Sequence, residues 1–226
     1  MAEVVLALDL PTAREALALV DALPGLGWVK VGPTLFVNGG ADLIRELQQR
    51  RHKVFLDLKW HDIPYQVAGA VAAAAGLGVT LATVHTSGGL EMMKAALEAA
   101  GEMALVGVTV LTSHNAATFK AATGRTDDLD ISAEVARLAK LAADAGLRGV
   151  VASPLEVAMV RRILGPKGWI VVPGIRPAGT NAGDQQRTAE PRVAINAGAT
   201  HLVVGRPITQ AKDPRAAYQQ LCDALN

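Results

Sequence analysis

The sequence has a single cysteine, Cys222, so no disulfide can close within the chain. So sparing a use of cysteine fits a reducing compartment. Charge of one sign is also missing. Lys and Arg number 22 against 21 Asp and Glu, for a net charge of +1. A nucleic-acid footprint or an anionic membrane surface calls for a basic excess, and none is present. No apolar stretch reaches the roughly 20 residues of a membrane-spanning helix. The opening residues, MAEVVLALDL, carry an acid at position 3 and no basic segment ahead of an apolar run of strand length, so no secretory signal is expected. No linker or low-complexity segment divides the 226 residues. The expectation is one cytoplasmic domain, with neither a nucleic-acid nor a membrane partner.

What is abundant is apolar: half of the residues are hydrophobic. Short runs rich in Val, Leu and Ile alternate with Ala-rich stretches of helical period. Strands are expected over 4–10, 28–32, 54–60, 80–86, 104–112, 149–154, 169–176 and 201–209. Helices are expected over 12–23, 40–51, 64–76, 89–100, 132–145, 155–164, 187–197 and 213–224. Nearly continuous apolar strands imply a sheet buried on both faces, as in parallel sheets. Eight βα units in this length point to an α/β fold of the (β/α)8 TIM-barrel type, residues 1–226 forming a single domain. A doubly wound open sheet is the alternative, and eight regular units fit it less well. Two connections exceed the rest: 113–131 after the fifth strand and 177–187 after the seventh. Long loops at that end of a barrel read as lids over a site, or as tolerated surface insertions.

Polar residues recur near the C-terminal end of nearly every expected strand: Asp9, Lys30, Asp57 and Lys59, His85, Thr112, Ser153, Arg176 and Arg206. Taken singly, Asp9 is a turn residue and Lys30 a lysine with a buried stem. Their convergence on the face where barrel enzymes keep their chemistry is harder to explain that way. The stretch FLDLKWHDIP (55–64) is the densest case. Asp57 and Lys59 are two apart, so they share one side of a strand, while Leu56 and Leu58 face the helices. An ion pair inside the barrel mouth keeps both groups charged. Lys30, one strand away, adds a second ammonium, and the alternating charges make a fixed template for negative charge developing on carbon. A phosphate commonly binds after strands 7 and 8 of such barrels. Gly205 allows close approach to the backbone there, Arg206 can grip the anion, and Arg176 and Gln185 lie on the preceding loop.

On these residues the chain resembles the orotidine 5′-phosphate decarboxylase family. DLKWHDIP is similar to the family's D-x-K-x-x-D-I-P signature, and LALD, VKVG, LTS, PGIR and VGRPIT follow in family order over essentially the whole chain. The resemblance implies a homodimer without metal or organic cofactor that converts orotidine monophosphate to UMP and CO2. It implies that Lys59 is the proton donor to C6, and that Asp57 is the carboxylate beside the departing carboxyl group. Asp9 and Lys30 are implied as ribose contacts, Lys30 also orienting Asp57. Thr112 falls at the pyrimidine contact, and Arg176, Gln185, Gly205 and Arg206 at the phosphate grip. Asp62, with Ile63 next to it, is implied as the residue lent to the partner subunit's site. One departure is visible: Tyr65-Gln66 stands where the family often has Asn-Thr, so Gln66 replaces a threonine that reaches across the dimer. Two rivals are weighed. Sugar-phosphate decarboxylases and aldolases on the same barrel share D-x-K-x-x-D, but place a metal-binding glutamate near the end of strand 2, where this chain has Lys30. A catalytically dead nucleotide-binding barrel would not need both lysines.

Overall fold

The computed structural model describes residues 2–176 and 188–225. Eight strands close into a barrel in which every neighbouring pair is parallel. They are β1 (Glu3–Ala7), β2 (Trp28–Val31), β3 (Lys53–Trp60), β4 (Leu81–His85), β5 (Ala104–Val108), β6 (Gly149–Val151), β7 (Trp169–Val172) and β8 (His201–Val204). The pairing of Val5 with Val203 joins first strand to last and excludes the open sheet. The connecting helices are α1 (Ala13–Asp21), α2 (Pro33–Gln49), α3 (Pro64–Gly76), α4 (Gly89–Ala99), α5 (Ala116–Thr123), α6 (Ile131–Asp144), α7 (Val157–Leu164), α8 (Pro191–Ala197), α9 (Arg206–Thr209) and α10 (Pro214–Asp223). Among the described residues, no helix is long and apolar enough to cross a membrane.

The apolar strands serve two cores. Val5, Ala7, Trp28, Phe55, Leu81, Val106, Val171 and Val203 fill the barrel interior. Their strand neighbours Leu6, Val29, Leu56 and Ala82 pack outward against Ile44, Leu47, Val71 and Met93 of the helices. Both faces are buried, and this is why the strands read as unbroken apolar runs. At the N-terminal end the barrel is sealed by rings. Trp169 lies 4.5 Å from His201, and Trp28 meets Trp169 edge-on at 6.3 Å. The Lys53 ammonium sits 5.3 Å from the Trp28 ring, and the Arg148 guanidinium 5.2 Å from that of Trp169. Among the described residues, the C-terminal end holds a cavity instead of such a seal.

Several boundaries differ from expectation, each for a local reason. β5, β7 and β8 stop at Val108, Val172 and Val204, well short of 112, 176 and 209. Pro173 follows β7 at once and has no N–H for the ladder. Arg206–Thr209, expected as strand, is the helical turn α9, with Pro207 in its first turn. α2 begins at Pro33 instead of residue 40 because it joins two helical pieces across Gly40, whose backbone (φ 56°, ψ −155°) is not helical; the expected helix is the second piece. The connection 113–131 contains α5, started by a reciprocal capping box between Asn115 and Thr118. α3 begins at Pro64, where a missing N–H is harmless.

Candidate active site

Lys30 lies next to last in β2, and Asp9 two residues beyond β1. The Lys30 Nζ is 3.1 Å from Asp9 Oδ1 and 3.6 Å from Asp57 Oδ2. Lys59 Nζ approaches the same Asp57 Oδ2 to 2.9 Å. Asp9, Lys30, Asp57 and Lys59 thus alternate in sign along one chain of contacts. Asp57 is only 8% exposed. Burial alone would raise the pKa of its carboxyl group. The charges of Lys30 and Lys59, with hydrogen bonds from Lys59 and Thr83, outweigh burial and hold it below the usual carboxylate range.

β3 reaches this arrangement through an irregularity. Leu56 pairs with Ala82 and Trp60 with Val84, so β3 uses four residues where β4 uses two. Lys59 takes up the excess in the left-handed region, at φ 52°. Asp57 and Lys59 still share the interior side, as the spacing predicts, and Leu56 and Leu58 pack toward the helices. Thr83, fully buried on β4, donates to Asp57 Oδ1 (3.0 Å) and accepts from the Lys59 N–H (2.9 Å).

Asp9, Lys30, Asp57, Lys59, Thr112, Arg176, Gly205 and Arg206 line one cavity at the open end of the barrel, over the interior side chains Phe55, Val171 and Val203. Asp62, Ile63 and Gln66 lie outside it, exposed on the β3–α3 loop and the first turn of α3. The Asp62 carboxylate accepts the Ile63 N–H at 2.7 Å. Gln185 and the connection 177–187 fall outside the described residues.

Two polar strand-end residues do not converge on the cavity. Ser153 is buried and donates to the Glu156 carboxylate. His85 lines a second cavity beside α5 and α6, with its ring 5.5 Å from that of His61. Burial, then the nearby His61 and Lys59, lower the pKa of His85 against the pull of Asp57. The connection 113–131 is tied to α6 by Arg125, which bonds Glu134 at 3.0 Å and Asp127 at 2.6 Å. Among the described residues no group of three or more His, Cys, Asp or Glu is gathered as a metal site.

Sequence reasoning passed over two residues here. Thr83 had a detectable signal, since it alternates with Leu81 on the interior face of β4. Gly32 had none. A Cβ there would lie 3.3 Å from Lys30 Nζ and 3.4 Å from Asp9 Oδ1, so its bareness lets that ion pair sit against the backbone.

Residues 2–221 match the model of the "Orotidine 5'-phosphate decarboxylase / HUMPS family". The chain belongs to this family. It is 46% identical over 238 aligned residues to the orotidine 5′-phosphate decarboxylase of Actinobacillus succinogenes, covering 99% of this chain and 97% of that one. It is 50% identical to that of Alkalilimnicola ehrlichii, covering 96% and 93%. The crystal structure of the Lactobacillus acidophilus orotidine 5′-phosphate decarboxylase superposes with a TM-score of 0.88 at 38% identity, each chain covered completely. Kinship of this extent makes the chain a decarboxylase, and the barrel is the family's own fold.

Proposed function

We propose that the chain converts orotidine 5′-phosphate to UMP and CO2 in pyrimidine biosynthesis, with Lys59 as the proton donor and no metal or organic cofactor. The observation that carries this reading is the alternating chain Asp9–Lys30–Asp57–Lys59 at the floor of the open cavity. The pyrimidine lies with C6 against Lys59 and its carboxylate beside the ionised Asp57. The C6–carboxylate bond breaks, its electron pair stays on C6, and neutral CO2 departs. The Lys59 ammonium stabilises that carbanion and then transfers a proton to C6, and the amine regains one from water. Departure of CO2 also relieves repulsion between the substrate carboxylate and Asp57, which its two lysine partners keep charged. Lys30 and Asp9 hold the ribose, and Thr112 contacts the base. Gly205, Arg206, Arg176 and Gln185 take the phosphate, whose binding energy is used at C6 by closing the site.

The protein is a cytoplasmic homodimer in this reading, and Asp62 serves the partner's site. Support comes from the exposure of Asp62 beside two large apolar side chains, Ile63 at 62% and Tyr65 at 82%, on a segment that does not line its own cavity. Gln66, also exposed, supplies an amide where the family often has threonine. Lys30 occupies the place of the metal-binding glutamate of the sugar-phosphate enzymes and argues against that alternative.

The test is direct. Purified protein should consume orotidine 5′-phosphate, read by its ultraviolet absorbance, with UMP and CO2 formed one to one. A chelator should leave the rate unchanged. No turnover, or inhibition by chelator that Mg²⁺ reverses, overturns the proposal.

A further inference from the structure

Three buried threonines sit around the open end of β4 and β5, and they use their hydroxyls differently. Thr86 donates to the main-chain carbonyl of Val108 at 2.7 Å, and Thr109 to that of Val151 at 2.9 Å. Those are ordinary ways for a buried hydroxyl to be satisfied. Thr83 ignores the main-chain carbonyls. Its proton goes to Asp57 Oδ1, and its oxygen receives the backbone N–H of Lys59. A hydroxyl offers one proton and two lone pairs, so both directed bonds can be made at once.

The consequences fall on both reacting groups. With Oδ1 held by Thr83, Oδ2 is the oxygen turned to Lys59 (2.9 Å) and Lys30 (3.6 Å). Rotation of the carboxylate about its Cβ–Cγ bond would break that division. Lys59 meanwhile sits at φ 52°, a conformation that is costly for a non-glycine residue and persists only where its surroundings fix it. In a regular ladder its N–H would bond a β4 carbonyl. At the irregularity the Thr83 side chain stands in for that partner.

We propose that Thr83 is a positioning residue of the reaction, its single hydroxyl setting the rotation of the Asp57 carboxylate and the left-handed backbone of Lys59. The inference rests on the reading in which Asp57 and Lys59 act on the substrate. Thr83 is fully buried and does not line the cavity, so its loss should appear in kcat and leave KM alone.

The experiment compares Thr83→Ser with Thr83→Ala, which differ by one oxygen and share the lost methyl group. Thr83→Val, near the native shape, completes the set, and Lys59→Ala is made in parallel. Thr83→Ser should keep kcat within about 3-fold of wild type, while Ala and Val lose roughly 10–100-fold at near-constant KM, because reacting groups held loosely react slowly. Equal kcat for Ser and Ala, or a difference between them in melting temperature alone, overturns the proposal while Lys59→Ala remains dead. Should Thr83→Val fail to fold, the Ser–Ala pair decides by itself. Should Lys59→Ala turn over normally, the catalytic reading and this inference fall together.

Discussion

Two ammonium groups address a single carboxylate oxygen, Asp57 Oδ2, and they are not interchangeable. Lys59 is the nearer and the more exposed, its side chain 35% accessible against 11% for Lys30. In the proposed reaction Lys59 is therefore the one free to move toward C6, while Lys30 is held between Asp9 and Asp57. Lys59→Ala should fold normally and lose at least about 10⁴-fold in kcat, since a proton donor and a charge stabiliser go together. Near-wild-type turnover in that variant ends the mechanism. Arg206→Ala should cost roughly 2–5 kcal/mol in kcat/KM, the range for leaving a desolvated charge without its partner. Free phosphite added with a substrate lacking its phosphate should return part of the wild-type rate. If the phosphate-free substrate reacts as fast as the whole one, Arg206 and Gly205 do not hold the phosphate. The charged members were legible because Asp57 and Lys59 are two apart on an apolar strand, where a charge is conspicuous. Thr83 carried only the weak signal of its alternation with Leu81, and Gly32 carried none. Threonine is common in strands, and the role of Gly32 is the absence of a Cβ against an ion pair formed by residues 21 positions apart in sequence. The left-handed backbone of Lys59 was invisible too, because it arises from a mismatch between β3 and β4 that belongs to neither strand alone.

At the scale of elements, the eight strands and their order were readable, while α5, α9 and the upper limits of the strands were not. Apolar character continues past β5 through Val110 and Leu111, and past β7 through Ile175, but there it packs loops over the barrel rim. Composition cannot separate those two uses of an apolar residue. The lower rim shows a different logic. His201 opens β8 and is 4% exposed among Trp28, Trp169 and Thr200, with the Lys53 charge nearby. Burial first, and Lys53 second, depress its pKa from 6.5 to about 4. The unfolded chain therefore takes up this proton before the folded one does. Stability from His201 is complete above pH 6.5 and is lost as pH falls from there toward 4. By linkage the loss amounts to at most about 3 kcal/mol. Urea unfolding across that range should show the decline in wild type and a shallower one in His201→Phe. Parallel curves for the two proteins would mean that another group titrates.

For the whole molecule, counting eight βα units was enough to expect closure, and the pairing of β1 with β8 delivers it. A two-fold partner is another matter, because one chain's sequence displays only half of an interface. Asp62, Ile63 and Tyr65 are exposed, as the proposed shared interface requires. The proposal that Asp62 completes a neighbour's site makes a quantitative demand. Lys59→Ala and Asp62→Ala homodimers should each be nearly inactive. Unfolded, mixed in equal amounts and refolded, they should give mixed dimers as about half of the population. In a mixed dimer with Asp62 acting across the interface, one site carries both lesions and the other carries none. One intact site in half of the dimers is roughly a quarter of wild-type activity. If Asp62 serves the barrel that carries it, every site keeps one lesion and mixing restores nothing. Mixed dimers shown to be present by mass, yet without activity, would place Asp62 in its own subunit's site and leave the exposed loop to be explained by dimerisation alone.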